Sequence, residues 1–172
     1  LTSIFLIGAS KVTTGSSLLS DLHPKSSLYI DLKNVEHWFG GILPMEIIIE
    51  KDDAIDLPMH NTVIMGHIKE FQVQLNRMFP ESNWISIQRV LEEVLHEIDP
   101  DEKFPPDQET LDQINMITQD QTQNLINFDE NKIRISGMLP DLSSDELDEA
   151  RASIMSYTKK NFPDGLSVVI TG

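Results

Sequence analysis

Five histidines and 28 acidic residues make metal binding and acid–base catalysis the first chemistries to weigh. His60 and His67 stand two helical turns apart if both are helical, but the helix signals begin at Asn61 and leave His60 outside. His96-Glu97 with Asp99 and Asp101 is the denser cluster. It lacks the two helix-phased histidines that a zinc hydrolase needs. Asp99, Asp101, Glu102 and Asp107 offer oxygen ligands of the kind calcium takes. Lys103, however, occupies a ligand position, and no glycine or closing glutamate follows in register. A solvated acidic loop is the reading these residues support. No Gly-x-Ser-x-Gly elbow, phosphate-binding loop or dinucleotide fingerprint occurs. No serine sits in a motif that would pair it with a histidine base, and among so many carboxylates no glycosidase-style pair can be singled out. The sequence therefore nominates no catalytic, cofactor-binding or metal-binding residue, and no cofactor is expected.

Composition narrows the remaining classes. A chain of 172 residues with 40% apolar content suits one domain with a real core. Lys plus Arg number 13 against the 28 acids, a formal net charge of −15. Such a surface repels phosphate backbones, so nucleic acid is not an expected partner. With no cysteine, a disulfide framework, a thiolate metal site and a cysteine nucleophile are all excluded. The apolar run over residues 1–8 is too short to cross a bilayer, which takes about 20 apolar residues. It reads either as an opening strand or as the stub of a transmembrane helix.

The elements that must carry any function alternate. A β-branched stretch predicts a strand over 9–15, expected to pair with the chain near Val169. Leu28, Leu32, Val35 and Phe39 fall at helical spacing, capped by Ser26 or Ser27 and stopped by Gly40-Gly41. Pro44 opens a strand whose consecutive isoleucines (47 to 49) read as covered on both faces or nearly so. Helices follow through Ile64, Ile68, Phe71, Leu75 and Met78, then through Ile87, Leu91 and Leu95 with Ser86 as cap, then a short one through Leu111, Ile114 and Ile117. The polar run Gln119–Asn124 reads as frayed helix or loop. Lys132–Ser136 alternates as a half-buried strand. Ser143 and Glu146 make a capping box before another helix, and Leu166–Ile170 is the last strand. The order is β-α-β, a mainly helical insertion over 52–130, then β-α-β. That is an α+β fold with a ferredoxin-like split β-α-β sheet.

Asp21-Leu22-His23-Pro24, then Val35-Glu36-His37-Trp38-Phe39-Gly40-Gly41 and Pro44-Met45-Glu46-Ile47, resembles the loop that follows a membrane helix in exporters of the resistance-nodulation-division (RND) superfamily, in particular the MMPL-type branch. Ile133 to Asp141 and the closing Val168–Gly172 resemble the family's second β-α-β unit. The resemblance implies a single extracytoplasmic, porter-like domain on the periplasmic face of a bacterial membrane. It implies as partners the remainder of the exporter chain, including its other loop domain, and an apolar or lipid-like substrate. Phe39, Gly40, Gly41 and Pro44 are its structural motif, with Phe39 expected to anchor the helix in the core. Such exporters run on protons through acids inside membrane helices, so this chain would meet or conduct substrate without driving transport or catalysing a reaction. Trp38, Trp84 and Phe104 are the aromatic residues expected at the surface, ready to contact substrate or partner. The competing readings are a freestanding small α/β enzyme with an unrecognised acid–base site, and a protein-interaction module.

Overall fold

The computed structural model describes residues 16–53, 55–127 and 131–172. The apolar run 1–8, the strand expected over 9–15 and its pairing with Val169 lie outside them. Five helices and five strands occur among the described residues, so the chain is a mixed α+β protein. In chain order they are α1 (Ser27–Phe39), β1 (Leu43–Lys51), α2 (Thr62–Met78), β2 (Trp84–Ile85), α3 (Ile87–Ile98), α4 (Gln108–Thr122), β3 (Ile126–Asn127), β4 (Lys132–Leu139), α5 (Ser144–Asn161) and β5 (Leu166–Thr171).

Local chemistry accounts for most boundaries. Ser26, Asn61, Ser86, Asp107 and Ser143 each accept a backbone N–H of the first helical turn that would otherwise go unmet. Ser143 and Glu146 form the reciprocal capping box. α1 ends at Gly40, whose φ of 75° lies in the left-handed region that only glycine enters at little cost.

The sheet runs β2-β4-β1-β5, with β3 also on β4, and every pair is antiparallel. β1 sits in the middle: Ile47 faces Ile135 on one side and Ile170 on the other. β2 and β3 share the outer edge of β4, at Ser136–Gly137 and Lys132–Ile133 respectively. Because two antiparallel steps restore direction, β1 and β2 run parallel across β4, and β4 and β5 run parallel across β1.

Burial alternates along β1: Met45, Ile47 and Ile49 are buried and Ile48 is only half-buried. The isoleucine run is thus fully covered on one face and partly covered on the other. That face meets Ile64, Ile68, Phe71 and Leu75 of α2, Ile87, Leu91 and Leu95 of α3, Leu111 and Ile114 of α4, and Ile154 of α5 in one apolar core. The opposite face carries cross-strand ion pairs, Glu50 with Lys132 at 3.5 Å and Glu46 with Arg134 at 3.7 Å. The stretch 52–130 holds α2, α3, α4 and two short strands. It is woven into the sheet and core, because β2 and β3 complete the edge of β4 and the three helices supply much of the buried apolar surface.

Candidate functional site

The motif residues of the sequence reading meet at the turn from α1 into β1. Gly40 caps α1, and a Cβ there would collide with the carbonyl oxygen of Glu81. Gly41 is buried against the carbonyl of Leu139, which also accepts the Ile42 N–H at 2.8 Å. Asn83 donates to the Phe39 carbonyl at 3.3 Å, closing one of the last carbonyls of the helix. The turn is therefore pinned to both the β2 approach and the end of β4, with Pro44 one residue inside β1.

Phe39 does not anchor the core: it is 56% exposed, and no residue of α1 is buried. Along its apolar stripe Leu32 and Val35 are half-buried, while Leu28 and Phe39 are open to solvent. Trp38 is the most exposed aromatic among the described residues, at 69%. Trp84 and Phe104, expected at the surface, are both buried. Trp84 belongs to the apolar core through β2 and packs against Phe79, at 6.0 Å between rings. Phe104 lies in the loop after α3, where Lys69 donates to its carbonyl at 3.2 Å and stands 5.8 Å over its ring. Only Trp38 of the three is placed to touch a partner.

α1 is tethered to the rest of the domain by polar contacts. Glu36 accepts the Asp141 N–H at 3.1 Å and pairs with Lys33, whose hydrogen bond to it is the main cause holding the Lys33 ammonium above its ordinary pKa. Asp141 in turn accepts the backbone N–H groups of Leu18 and Leu19, both at 2.8 Å. The strand-to-helix turn after β4, the last turn of α1 and the segment leading into it are thus joined at one residue.

The acid and histidine clusters are dispersed by the fold. His60 precedes α2 and pairs with Asp112 of α4 at 3.3 Å, while His67 packs 6.4 Å from the Phe162 ring. Asp99 follows α3 and accepts the Asp101 N–H, and Asp107 caps α4. Among the described residues, no three His, Asp or Glu side chains are placed to hold a metal. Two open grooves flank α2. One, of about 390 Å³, is lined by Lys69, Gln72, Gln88, Arg89, Glu92 and His96. Its charges are already matched: Lys69 reaches Glu92 at 2.6 Å and Gln88 reaches the other Glu92 oxygen at 2.5 Å. The other, of about 470 Å³, lies between Gly66, Arg77, Pro105 and Tyr157. Burial, with Glu70 adding to it, raises the Tyr157 phenol, which keeps it a neutral donor.

The sequence reading misses a buried polar pair beneath the first groove, where Ser86 donates to Gln72 and Gln72 donates to the Trp84 carbonyl at 3.3 Å. Its one sign in the sequence is a glutamine beside the apolar stripe of α2. The chain matches no family model, no curated protein and no solved structure. No helix among the described residues is long and apolar enough to cross a membrane.

Proposed function

We propose that this chain is the extracytoplasmic domain of an RND-type, MMPL-like exporter, contributing to substrate passage and to contact with the exporter's partner loop domain. The observation that carries the reading is the turn Phe39-Gly40-Gly41 into Pro44. These are the residues of the sequence resemblance, and both glycines stand where a side chain would strike a backbone carbonyl. The strand order adds support for one half of that arrangement, since β4 and β5 run parallel on either side of β1, as a single split β-α-β unit of such a domain would. The surface of α1 supports the partner-contact role: Leu28, Ile30, Trp38 and Phe39 leave apolar area open that a neighbouring domain or an apolar substrate would cover.

The complete reading frame tests the proposal directly. An exporter requires helices of about 20 apolar residues on both sides of this domain. A reading frame that supplies neither would overturn it. The domain is also expected to turn over no ester, phosphate, glycoside or peptide substrate. A turnover abolished by changing a single His or Asp would move the assignment to the enzyme class.

A further inference from the structure

We propose that the groove between α2 and α3 binds a neutral, hydroxyl-rich small molecule of saccharide size. The site stands whether or not the chain belongs to an exporter. It rests on a side chain that the fold leaves half-satisfied. Gln88 is 2% exposed and lines the groove, and its Nε2 donates to Glu92 at 2.5 Å. That bond fixes the orientation of the amide, because turning it over would set its oxygen against a carboxylate. The amide oxygen accepts no hydrogen bond among the described residues, yet it is not sealed from outside. For a side chain so deeply buried, the groove it lines is the way out. Buried amide groups are normally met on both sides. Gln72, next to it, shows how: Ser86 donates to its oxygen and its Nε2 reaches the Trp84 carbonyl at 3.3 Å. Nothing in the fold does the same for the Gln88 oxygen, so its donor comes from a ligand.

The ionic groups around it decide against a charged ligand. Lys69 is held by Glu92 at 2.6 Å, and Arg89 by Glu93 at 3.2 Å. His96 aside, the groove's cations and carboxylates cancel in these pairs. An entering ion meets no net charge and gains only by displacing a partner already in place. The uncommitted groups are of another kind. Asn76 and His96 line the groove, are exposed, and have side chains that no hydrogen bond or ion pair among the described residues uses. An amide and an imidazole each donate and accept, as a hydroxyl does, so hydroxyls on a ring can meet them while one of their number donates to Gln88. The C–H face of such a ring would lie on Val73 and on the stem of Lys69. An extended peptide is also neutral and carries donors, but it needs pockets for its alternate side chains. Val73 is the one apolar residue among those lining this groove. The volume of about 390 Å³ falls at the small end of ligand sites, as a sugar of one or two rings requires.

Nuclear magnetic resonance of the isotope-labelled chain tests this. Glucose, galactose, mannose, maltose and cellobiose are each titrated in at millimolar concentrations. At least one is expected to shift the side-chain amide signals of Gln88 and Asn76 together, while the backbone amides of Ile47 and Ile49 stay in place. Asn76→Ala and Gln88→Met should each weaken that binding by about three- to tenfold, the worth of one neutral hydrogen bond. Circular dichroism confirms folding of each variant, and Asn76 is exposed, so its change leaves the core untouched. Methylammonium acetate and N-acetylalanine methylamide serve as the ionic and the peptide control. If no saccharide moves these signals, water alone meets the Gln88 oxygen and the proposal is overturned. It is equally overturned if either control binds the groove more tightly than the saccharides, or if saccharide binding is indifferent to both substitutions.

Discussion

The indole of Trp84 occupies the space that Gly137 leaves on the neighbouring strand. The two residues are direct partners across β2 and β4, and a Cβ at 137 would come within 2.7 Å of the ring carbons Cδ2 and Cζ3. A two-residue strand has few ladder hydrogen bonds, so this contact, with the Gln72 hydrogen bond to the Trp84 carbonyl, helps to hold it on the sheet. Gly137→Ala is therefore expected to cost about 1–3 kcal/mol through overpacking. Urea unfolding followed by Trp84 emission in a Trp38→Phe background would measure it. An unchanged midpoint would mean that Trp84 has another place to go.

Two other glycines should answer a methyl group in opposite ways. Gly40 combines positive φ with a backbone oxygen in the path of any Cβ, so Gly40→Ala should destabilise by more than about 1 kcal/mol. Gly66 lies inside α2, where the nearest atom to an added Cβ is a Pro105 ring carbon at 3.8 Å, an ordinary contact. Gly66→Ala should stabilise by about 0.4–1 kcal/mol by restricting the unfolded chain. Parallel denaturation curves for the pair test both signs at once.

These cases mark what residue order reveals and what it does not. The periodicity of Ile64, Ile68, Phe71 and Leu75, the Ser86 cap and the Ser143–Glu146 box are local signals, and each element stands where they put it. β2 gives no such signal, because two residues cannot display an alternating pattern, and residue order alone leaves Trp84 at the surface. The stripe on α1 is regular, yet periodicity says only that a face is apolar, not that the core is what it meets. Phe39 therefore reads as a core residue and stands exposed. The run Gln119–Asn124 is helix as far as Thr122 and turn beyond it, and all of it but Thr122 is exposed. α4 continues to Thr122, which is fully buried, because the Thr118 and Thr122 hydroxyls donate to the carbonyls of Ile114 and Thr118 and so hide their polarity inside the helix. The candidate site is legible as a motif at Gly40 and Gly41, while the burial of two of its three aromatics depends on long-range packing.

Two helix caps should make stability depend on acid. Asp107 sits below its ordinary value of 3.8 because Thr110 donates to it first through its backbone N–H and then through its hydroxyl. Glu146 sits below 4.5 through the Ser143 hydroxyl and then the Ser143 N–H. In the folded state each carboxylate holds its proton less tightly than in the unfolded chain. The unfolded chain therefore binds more protons just below these ordinary values, and stability falls as pH drops through that window toward the folded values. Asp107→Asn with Glu146→Gln keeps an acceptor at each cap but cannot titrate. The wild type is expected to be the more stable at neutral pH, and its advantage to shrink as pH falls below about 4.5. Both groups are exposed, so the effect is modest and weakens in salt. A gap that widened on acidification would contradict the assignment.

The Asp141 carboxylate should decide whether the segment before α1 stays on the domain. Its two oxygens each take one backbone N–H, from Leu18 and Leu19, and the Leu19 side chain is buried behind them. Asn at this position offers one oxygen and turns an NH2 group toward the second donor, so one N–H loses its acceptor and meets a repelling dipole. Charge-assisted bonds of this kind are worth about 1.5–3 kcal/mol each. Asp141→Asn should therefore release Leu18 and Leu19 locally while leaving β1 and β4 intact. Hydrogen exchange reads this directly, as lost protection at those two amides with unchanged protection at Ile47 and Ile135. Because the Asp141 N–H is itself held by Glu36 of α1, Glu36→Gln should loosen the same amides to a smaller degree. Full protection at Leu18 and Leu19 in Asp141→Asn would show that the segment is held by the packing of Leu19 alone.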